Sequence, residues 1–469
     1  MQDLLVMKFG GTSMGSADRM RTAGQICAEQ RAGRPVTIVV SAMSKVTDLL
    51  LDTLRKAEAG ESVALEANLA QLEQRHVITC CELLPTDRQP AVLSELHAII
   101  GDFRRIAQGV RMLGERPPRS VDEAVAVGER LSALLMAAHL EASGIPAKAV
   151  NAAAVVVTDA VFGNATPLMD RTREKAAAVL LPLLEAGVLP VVTGFNGATM
   201  DGRATTLGRG GSDFSASILA AVLDATDLWI WTDVDGIMTA DPRLVPTAAV
   251  LPEVTYSEAA ELAYNGAKVL HPRTLAPLVE KGIPVWSKNS FHLAAPGTRI
   301  APKVDAPQGP RAVTSMGNVA LVSVAPADPE LNAVQVMSRA LAALATADAE
   351  VLALTSSSYR QSFCFLIRQD ELARATDALE TTFALELAHG YLKPFEVDQN
   401  VGLLAIVGEG MRGTTGMAGR IFTAISQADV NIIAIAQGSS ELTIAIVVRR
   451  DGLEKAVRAV HDVCGLGKS

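Results

Sequence analysis

The sequence predicts an α/β protein in which a mainly parallel sheet, sandwiched between helices, is followed by two small ferredoxin-like units. In the first two-thirds of the 469 residues, short apolar runs alternate with Ala- and Leu-rich stretches at helical spacing. This pattern is typical of a buried parallel sheet. In the last third, a β-α-β-β-α order occurs twice. A hydrophobic content of 49% allows large cores, and with only 4% aromatics they must be mostly aliphatic.

Most of the strands predicted in the first part end in glycine or small polar residues. They are Leu4–Phe9, Val36–Val40, Ala147–Asn151, Val155–Thr158, Leu189–Thr193 and Leu228–Thr232. Helical spacing follows in Val125–Ser143 and Asp213–Leu223, among others. Ligands of parallel α/β sheets bind beyond the carboxyl ends of the strands. The residues at these ends, including Gly10–Ser13, Ser41 and Thr232–Asp233, therefore mark a candidate site.

We predict three domains or units along the chain. Residues 1–300 form the main α/β domain, with a charged, helix-prone insertion over 62–119 on its outer face. Four prolines interrupt residues 294–311, which predicts a linker without regular structure. Residues 311–395, with a leading strand, form the first repeat, and residues 396–469 form the second. Tandem units of this size suggest a regulatory module that pairs edge to edge.

Composition excludes several classes of protein. A net charge of −9 argues against a polyanion-binding surface, so no nucleic-acid partner is expected. Five scattered cysteines without a CxxC pair predict neither a disulfide framework nor a zinc site, and no other protein metal site is predicted. The N-terminus lacks the pattern of a secretory signal, and the apolar runs are too short to span a bilayer. We expect a cytoplasmic protein with no membrane partner.

The segment Lys8–Ser13 (KFGGTS) has the composition of a phosphate-binding loop. Two glycines let a phosphate approach the backbone, Thr12 and Ser13 offer hydroxyl groups, and Lys8 supplies a mobile cation. An ordinary Gly-Gly turn beside an exposed lysine remains the alternative. The segment is not a Walker A loop, because GxxxxGK[ST] occurs nowhere in the chain.

The segment Gly208–Asp213 (GRGGSD) is a stronger candidate. It precedes a predicted helix, and Arg209 could bind a carboxylate or a phosphate there. Ser212 or Asp213 could instead act only as a helix N-cap, which would not explain three glycines around an arginine.

Three further features are less specific. Glu129 stands early in an apolar helix, where it could bind a substrate ammonium or be a solvated surface residue. Asp233 and Asp235 follow a strand and could be ligand-binding residues or turn formers. Gly408–Gly413 matches GxGxxG, but the segment continues as a hairpin, so we reject a dinucleotide site and favour a glycine turn at a small-ligand or subunit interface.

Taken together, six segments resemble those of aspartate kinases, in that family's order and across nearly the whole chain. They are Lys8–Ser13, Val40–Ala42, Gly208–Asp213, Trp231–Gly236, Asp241–Arg243 and Gly266–Pro272. The resemblance implies the amino-acid kinase fold followed by two ACT domains. Gly410–Gly413 and Ile435–Glu441 are most similar to the kinase portion of bifunctional aspartate kinase–homoserine dehydrogenases. Because the chain given stops at Ser469, we expect a monofunctional enzyme.

The resemblance implies transfer of the ATP γ-phosphoryl group to the side-chain carboxylate of L-aspartate, the first step toward lysine, threonine and methionine. Such a carboxylate, with a pKa of about 4, is already ionised at neutral pH and needs no general base. Catalysis then depends on positioning and positive charge. By this resemblance Lys8 and Asp213 are catalytic, Arg209 holds the α-carboxylate, Glu129 holds the α-ammonium and Thr47 lines the same pocket.

The resemblance also implies a nucleotide site with Mg²⁺ bridging ATP oxygens and no dedicated protein cage. The implied ATP-binding residues are Gly10, Gly11, Thr12, Ser41, Thr232, Asp233, Met238, Arg243 and Lys268. Met238 stands where many relatives carry an aromatic residue, so contacts to the adenine or ribose are expected to differ there.

Regulation by threonine or lysine is a hypothesis motivated by the tandem ACT-like units, with Gln437 and Asn431 as effector-binding candidates. The segment Ala325–Asn332 replaces the glycine-rich turn of the second unit, which puts an effector pocket in the first unit in doubt. A homodimer through these units is expected, and a tetramer stays open. Two alternatives also stay open: a relative acting on glutamate, N-acetylglutamate or a nucleoside monophosphate, and a non-catalytic amino-acid sensor.

Overall fold

The structure is a computed structural model that describes residues 3–267, 270–305, 309–327, 331–357 and 362–467. These residues divide into two units. The first contains the described residues of 1–237, 252–256 and 270–304, and the second contains those of 238–251, 257–269 and 305–469. Each unit is described by itself below.

Before residue 305 the chain alternates strands and helices as the hydrophobic pattern predicts. In chain order the elements are β1 (Leu5–Phe9), α1 (Ala17–Arg31), β2 (Val36–Val40), α2 (Val46–Glu58), α3 (Ser62–Leu83), α4 (Gln89–Leu113), α5 (Pro118–Val125), α6 (Val127–Ala142), β3 (Ala147–Val150), β4 (Val157–Thr158), α7 (Met169–Glu185), β5 (Leu189–Thr193), β6 (Asn196–Thr199), β7 (Ala204–Thr206), α8 (Gly211–Val222), β8 (Asp227–Thr232), β9 (Glu253–Thr255), α9 (Tyr256–Tyr264), α10 (Pro272–Lys281), β10 (Val285–Asn289) and β11 (Thr298–Ala301).

The first unit is built on an eight-stranded sheet in the order β3-β5-β2-β1-β8-β10-β11-β9. All neighbouring pairs are parallel except β10 and β11, which are antiparallel. The order reverses at β1, because the chain proceeds from β1 toward β2 on one side and from β8 toward β10 on the other. In open α/β sheets a ligand site lies at such a reversal, beyond the carboxyl ends of the strands. The predicted α/β class is therefore confirmed.

The helical insertion contributes to the main core of the first unit. Helices α3 and α4 occupy most of the predicted segment, but their buried residues, among them Leu69 and Phe103, belong to the same apolar cluster as Leu5 and Ile38 of the central strands. Both helices pack against other helices, among them α2 and α6, so the position of this segment on the outer face stays a prediction. The polar residues that suggested an outer position cover only one side of each helix.

The proline-rich segment also contains a regular element, which corrects the prediction of an unstructured linker. Strand β11 lies between Pro296 and Pro302 and pairs with both β10 and β9. Proline excludes the ladder hydrogen bond at its own position only, so four residues between two prolines can still form a strand.

The second unit contains the two predicted repeats. Its further elements are β12 (Ala312–Val324), α11 (Ala333–Thr346), β13 (Ala353–Ser356), β14 (Phe363–Arg368), α12 (Leu372–Thr382), α13 (Ala384–Ala388), β15 (Glu396–Val407), α14 (Met417–Gln427), β16 (Ile432–Gln437), β17 (Thr443–Arg449) and α15 (Leu453–Val463). The strands form one sheet in the order β13-β14-β12-β15-β17-β16. Residues 328–330 of the altered turn in the first repeat lie outside the described residues.

The two repeats share their long strands. The second half of β12 pairs with β14, whereas its first residues, Ala312–Met316, pair antiparallel with Leu403–Val407 of β15. The strand that leads into the first repeat therefore pairs with a strand of the second repeat. Among the described residues, no helix has the length and apolar character needed to cross a bilayer.

A glycine in α6 makes a close helix contact that leads to a test. A Cβ atom on Gly128 would lie 2.8 Å from the Cβ of Ala42, whereas Gly101, inside α4, faces open space. We expect Gly128→Ala to lower the free energy of unfolding by about 1–3 kcal/mol through overpacking. The matched control Gly101→Ala should raise it by about 0.5–1 kcal/mol, because alanine restricts the unfolded chain. Urea denaturation measures both, and equal changes in the two variants would contradict the contact.

Candidate active site

The loop after β1 lies against the loops that follow two neighbouring strands. The Gly10 amide donates to the carbonyl of Trp231 over 3.2 Å, and the Ser44 amide donates to the carbonyl of Gly11 over 3.0 Å. A Cβ atom on Gly11 would lie 3.1 Å from the carbonyl oxygen of Ala42. A side chain at this position would press on the backbone of the β2 loop, so glycine allows the two loops to approach closely.

Lys8 faces this loop from the end of β1. It is 8% exposed, and its Nζ lies 2.5 Å from Oδ1 of Asp213 in the first turn of α8. The same ammonium stands near Gly10, where an added Cβ would lie 3.4 Å from Nζ. The structure therefore joins two residues that are 205 positions apart in the sequence, and it points a shielded cation at the first glycine loop.

Glu129 is buried at the start of α6. It is 3% exposed, its Oε1 accepts from the Ala42 amide over 3.2 Å, and its Oε2 has no hydrogen-bond partner among the described residues. Burial raises the pKa of Glu129 to about 8, although the bond from Ala42 and the charge of Lys8 act in the opposite direction. A buried carboxyl with a free oxygen can bind a cationic group, since the partner's charge would offset the desolvation.

The loop that carries Arg209 has an unusual backbone. Gly208 and Gly210, on either side of Arg209, have φ angles of +75° and +68°, a conformation that residues with a Cβ rarely adopt. An added Cβ on Gly211 would lie 2.5 Å from the ring of Phe195. The Arg209 side chain is exposed. This geometry leaves its guanidinium accessible to an anion.

The loop after β8 is connected to the first glycine loop by two buried hydroxyl groups. The Oγ atoms of Ser13 and Ser290 are 2.8 Å apart, and the Ser290 amide donates to the carbonyl of Thr232 over 2.9 Å. Thr232 donates to the carboxylate of the exposed Asp233 over 3.2 Å. Asp235 has a structural role, because its Oδ1 accepts from Asn289 over 2.7 Å.

The remaining sequence candidates occupy different places. Ser41 is half-buried at the end of β2, Thr47 is half-buried in the first turn of α2, and Thr12 is exposed in the first glycine loop. Met238 and Arg243 belong to the second unit, where the guanidinium of Arg243 pairs with Asp241. Lys268 lies outside the described residues.

The second unit has its own cavity of about 240 Å³ beside the glycine turn of residues 408–413. Met411, Thr414, Gly416 and Gln437 are among the residues that line it. Asn431 is exposed and is not among the lining residues. Of the two effector candidates, only Gln437 is therefore placed at this cavity.

Three residues that the sequence analysis did not single out hold the loops of the first unit. Arg75 of α3 donates to the carbonyls of Ser44, over 2.6 Å, and Gly15, over 3.3 Å. Asp122 of α5 and Arg273 of α10 bind backbone groups near Arg209. Each makes its contacts to residues distant in the sequence, and no local motif marks it.

This arrangement can accept an anionic ligand and an amino group together. Lys8 and the glycine backbone supply positive potential at the reversal of the sheet, Arg209 is accessible to a carboxylate, and Glu129 has a free oxygen for an ammonium. Such a set at the carboxyl ends of a parallel sheet is compatible with the amino-acid kinase class. Residues 3–289 match the amino acid kinase family, and residues 404–463 match the ACT domain.

Sequence similarity to individual proteins identifies the family within this class. The chain is 35% identical to a bifunctional aspartokinase/homoserine dehydrogenase of Arabidopsis thaliana, over 97% of this chain and 50% of that protein. It is 30% identical to the aspartokinase of Schizosaccharomyces pombe, over 97% of this chain and 92% of that protein. The chain belongs to the aspartokinases of the amino acid kinase family. It spans about half the length of the bifunctional relatives that it matches.

Solved structures agree with this assignment. Aspartokinase III of E. coli in complex with aspartate and ADP, in its R-state, superimposes with a TM-score of 0.84 at 30% identity, covering 98% of this chain and 99% of that one. The T-state of the same enzyme, in complex with lysine and aspartate, gives a TM-score of 0.80 at 30% identity and the same coverage.

Proposed function

We propose that the protein is an aspartate kinase that transfers the γ-phosphoryl group of ATP to the side-chain carboxylate of L-aspartate. An oxygen of this carboxylate forms a bond to the γ-phosphorus while the bond from phosphorus to the bridging β,γ-oxygen breaks. The products are 4-phospho-L-aspartate and ADP, and no proton is transferred. The observation that carries the proposal is the buried Lys8 ammonium beside Asp213, within electrostatic reach of Glu129. The similarity to a structure that contains aspartate and ADP supports the choice of substrates.

Each residue at the site then has a chemical role. Lys8 offsets the repulsion between the attacking carboxylate and the phosphate, and Asp213 orients Lys8 until the nucleotide binds. Arg209 binds the α-carboxylate, and the free oxygen of Glu129 binds the α-ammonium. Thr47 lines the same pocket. These roles are implied by the resemblance to aspartate kinases, and the charges of Lys8, Arg209 and Glu129 complement those of a free α-amino acid.

The nucleotide is proposed to lie over the glycine loop of β1 and the loop after β8. Gly10 and Gly11 form the turn of this loop, Thr12 and Ser41 add polar groups, and Thr232 and Asp233 stand at the end of the neighbouring strand. Met238, Arg243 and Lys268 complete the proposed set by family resemblance. Mg²⁺ would enter with ATP and would supply positive charge at its phosphates. Asp213, the carboxylate paired with Lys8, could contact the water shell of this Mg²⁺ ion.

Hydroxylamine trapping of the acyl phosphate tests the proposed reaction. With ATP, Mg²⁺ and L-aspartate, we expect the purified protein to form aspartyl hydroxamate. Parallel reactions with glutamate and N-acetylglutamate, and ADP release with a nucleoside monophosphate, separate the alternative substrates. Product with one of these and not with aspartate would replace the proposed substrate. Absence of product from all of them, with intact folding by circular dichroism, would favour a non-catalytic amino-acid sensor.

The raised pKa of Glu129 predicts a pH dependence for aspartate binding. Only the ionised carboxylate attracts the α-ammonium, and a pKa of about 8 leaves most free protein protonated at neutral pH. KM for L-aspartate should fall roughly tenfold for each unit of pH between 6 and 7.5. Glu129→Gln, which is neutral at every pH, should show a high and pH-independent KM. An equal pH dependence in both proteins would contradict the assignment.

The raised pKa of Glu129 also makes folding stability depend on pH. As the pH rises, aspartate binding should improve, whereas folding stability should fall. The folded-state pKa lies above the ordinary value of 4.5, so the folded protein binds more protons than the unfolded chain between these values. The contribution of Glu129 to stability is therefore present below about pH 4.5 and is lost as the pH rises through 8. Glu129→Gln should consequently raise the thermal midpoint at pH 8.5, and an unchanged or lower midpoint would contradict burial of this carboxyl.

Regulation, assembly and location are further parts of the proposal. Threonine or lysine would bind at the cavity beside Gln437, and the lysine complex of the E. coli enzyme supports a search for such an effector. A homodimer through the two repeats and a cytoplasmic location are the expected assembly and compartment. Assays of rate against each amino acid, and light scattering for the oligomer, test the first two.

A further inference from the structure

We propose that Asp122 and Arg273 are positioning residues that hold the loop carrying Arg209 from two sides, and thereby fix where the α-carboxylate of the substrate is bound. This inference rests on the proposed function for the identity of the substrate. The holding of the loop itself follows from contacts within the first unit and does not depend on the reaction.

Asp122 binds the donors at the start of this loop. It is 1% exposed, and its Oδ2 accepts from the amides of Gly163 and Thr206, each over 2.9 Å. Its Oδ1 accepts from the hydroxyl of Thr206 over 2.8 Å. Thr206 is the last residue of β7 and stands three positions before Arg209. Three hydrogen bonds to one buried carboxylate attach these donors to α5. Loss of the carboxylate would leave all three donors unsatisfied, which is costly in a buried place.

Arg273 binds the acceptors of the same two segments. Its Nη1 donates to the carbonyl of Leu207 over 3.2 Å and to the side-chain oxygen of Asn164, and its Nη2 donates to the carbonyl of Ala165 over 2.8 Å. The guanidinium also lies over the ring of Phe214, 4.9 Å from its centre. The planar fork of arginine can hold several acceptors in one fixed geometry, which lysine cannot do.

The two side chains act on one structural element. The amide of Ala165 donates to the carbonyl of Thr206 over 2.8 Å, so residues 163–165 and 206–207 form a connected pair of segments. Asn164 lies against Gly208, where an added Cβ would be 2.5 Å from its Oδ1. The side chain of Arg209 is exposed, and glycines flank it on both sides. The place of its guanidinium is therefore set by the backbone that Asp122 and Arg273 hold.

Four variants test this proposal: Asp122→Ala, Asp122→Asn, Arg273→Met and Arg273→Lys. We expect the Ala and Met variants to raise KM for L-aspartate about 10- to 50-fold while KM for ATP changes less than about twofold. Asp122→Asn should recover most of the affinity, because the amide oxygen can still accept from both N–H groups and the hydroxyl oxygen of Thr206 can accept from the amide NH2. Arg273→Lys should recover little, since it cannot span three acceptors.

A second measurement separates this inference from the proposed function. Hydrogen–deuterium exchange of peptides covering residues 204–213 in the unliganded protein should be at least about tenfold faster in the Ala and Met variants than in the wild type. Asp227→Asn and Arg34→Lys serve as matched controls, because this pair joins side chains 3.0 Å apart at the other end of the sheet. The controls should change neither the exchange of this loop nor KM for L-aspartate.

Each outcome decides one of the two claims. Unchanged exchange over residues 204–213 in the Ala and Met variants would overturn the proposed holding of the loop. Two other results would show that the residues only stabilise the fold. One is faster exchange with KM for L-aspartate and KM for ATP raised equally, and the other is an Asp122→Asn variant as impaired as Asp122→Ala. If the wild type forms no hydroxamate, the proposed substrate fails, and the exchange experiment still decides whether the two residues hold the loop.

Discussion

Replacing Lys8 with methionine is expected to lower kcat by about 10²- to 10³-fold, the loss typical of removing one preorganised electrostatic group from an active site. Methionine keeps an unbranched apolar side chain, one atom shorter than that of lysine, and it removes the charged ammonium group with its N–H donors. The ammonium of Lys8 is shielded from water and lies 2.5 Å from Asp213, so its charge acts at close range. Steady-state hydroxamate formation at saturating ATP and L-aspartate measures the effect.

A control distinguishes loss of catalysis from loss of structure. Lys148→Met removes an exposed lysine from β3 and should leave kcat unchanged. The Asp213 side chain is 22% exposed, but the Oδ1 atom that faces Lys8 is buried, so removal of the ammonium should lower the thermal midpoint of Lys8→Met by several degrees without unfolding the protein. A folded Lys8→Met protein with kcat within threefold of the wild type would refute the role assigned to this lysine.

The second large effect is expected at Arg209. Arg209→Met should raise KM for L-aspartate about 100-fold, because a charge-assisted, bidentate contact to the α-carboxylate is lost. Arg209→Lys should recover only part of this affinity, since an ammonium cannot form the two parallel bonds. Substrate titrations at fixed, saturating ATP measure both variants.

Stability provides the internal control for Arg209. Its side chain is exposed on a glycine loop, so neither substitution should shift the thermal midpoint by more than about 1 °C. Arg171→Met, which removes an exposed arginine from α7, should leave KM for both substrates unchanged. If Arg209→Met binds L-aspartate as well as the wild type does, the carboxylate is held elsewhere and the proposed pocket is wrong.

Sequence patterns predicted six strands of the first unit, β1 to β5 and β8, mostly from apolar runs, and they missed β6, β7, β9, β10 and β11. Strands Val36–Val40 and Leu189–Thr193 begin and end as predicted, and the residues of both are buried throughout. Hydrophobic runs of this kind bury both faces of a parallel sheet and need no information from distant residues. Strand β11 was missed because prolines flank it, and its stability comes from pairing with β9 and β10.

The candidate site was only partly readable from the sequence. Glycine loops after strands are local features, so Lys8–Ser13 and Gly208–Asp213 could be singled out directly. The pairing of Lys8 with Asp213 and the burial of Glu129 depend on how separate elements pack. Local patterns could not reveal Asp122 and Arg273, since their partners lie up to 109 residues away.

A crystal structure of the protein with ADP and L-aspartate bound would test the proposed substrate pocket directly. We expect the α-carboxylate to contact the guanidinium of Arg209, the α-ammonium to lie within hydrogen-bond distance of Glu129, and Lys8 to turn from Asp213 toward the phosphates. Ligands bound elsewhere, with the loops of residues 10–13 and 208–213 making no contact to them, would contradict the proposed pocket.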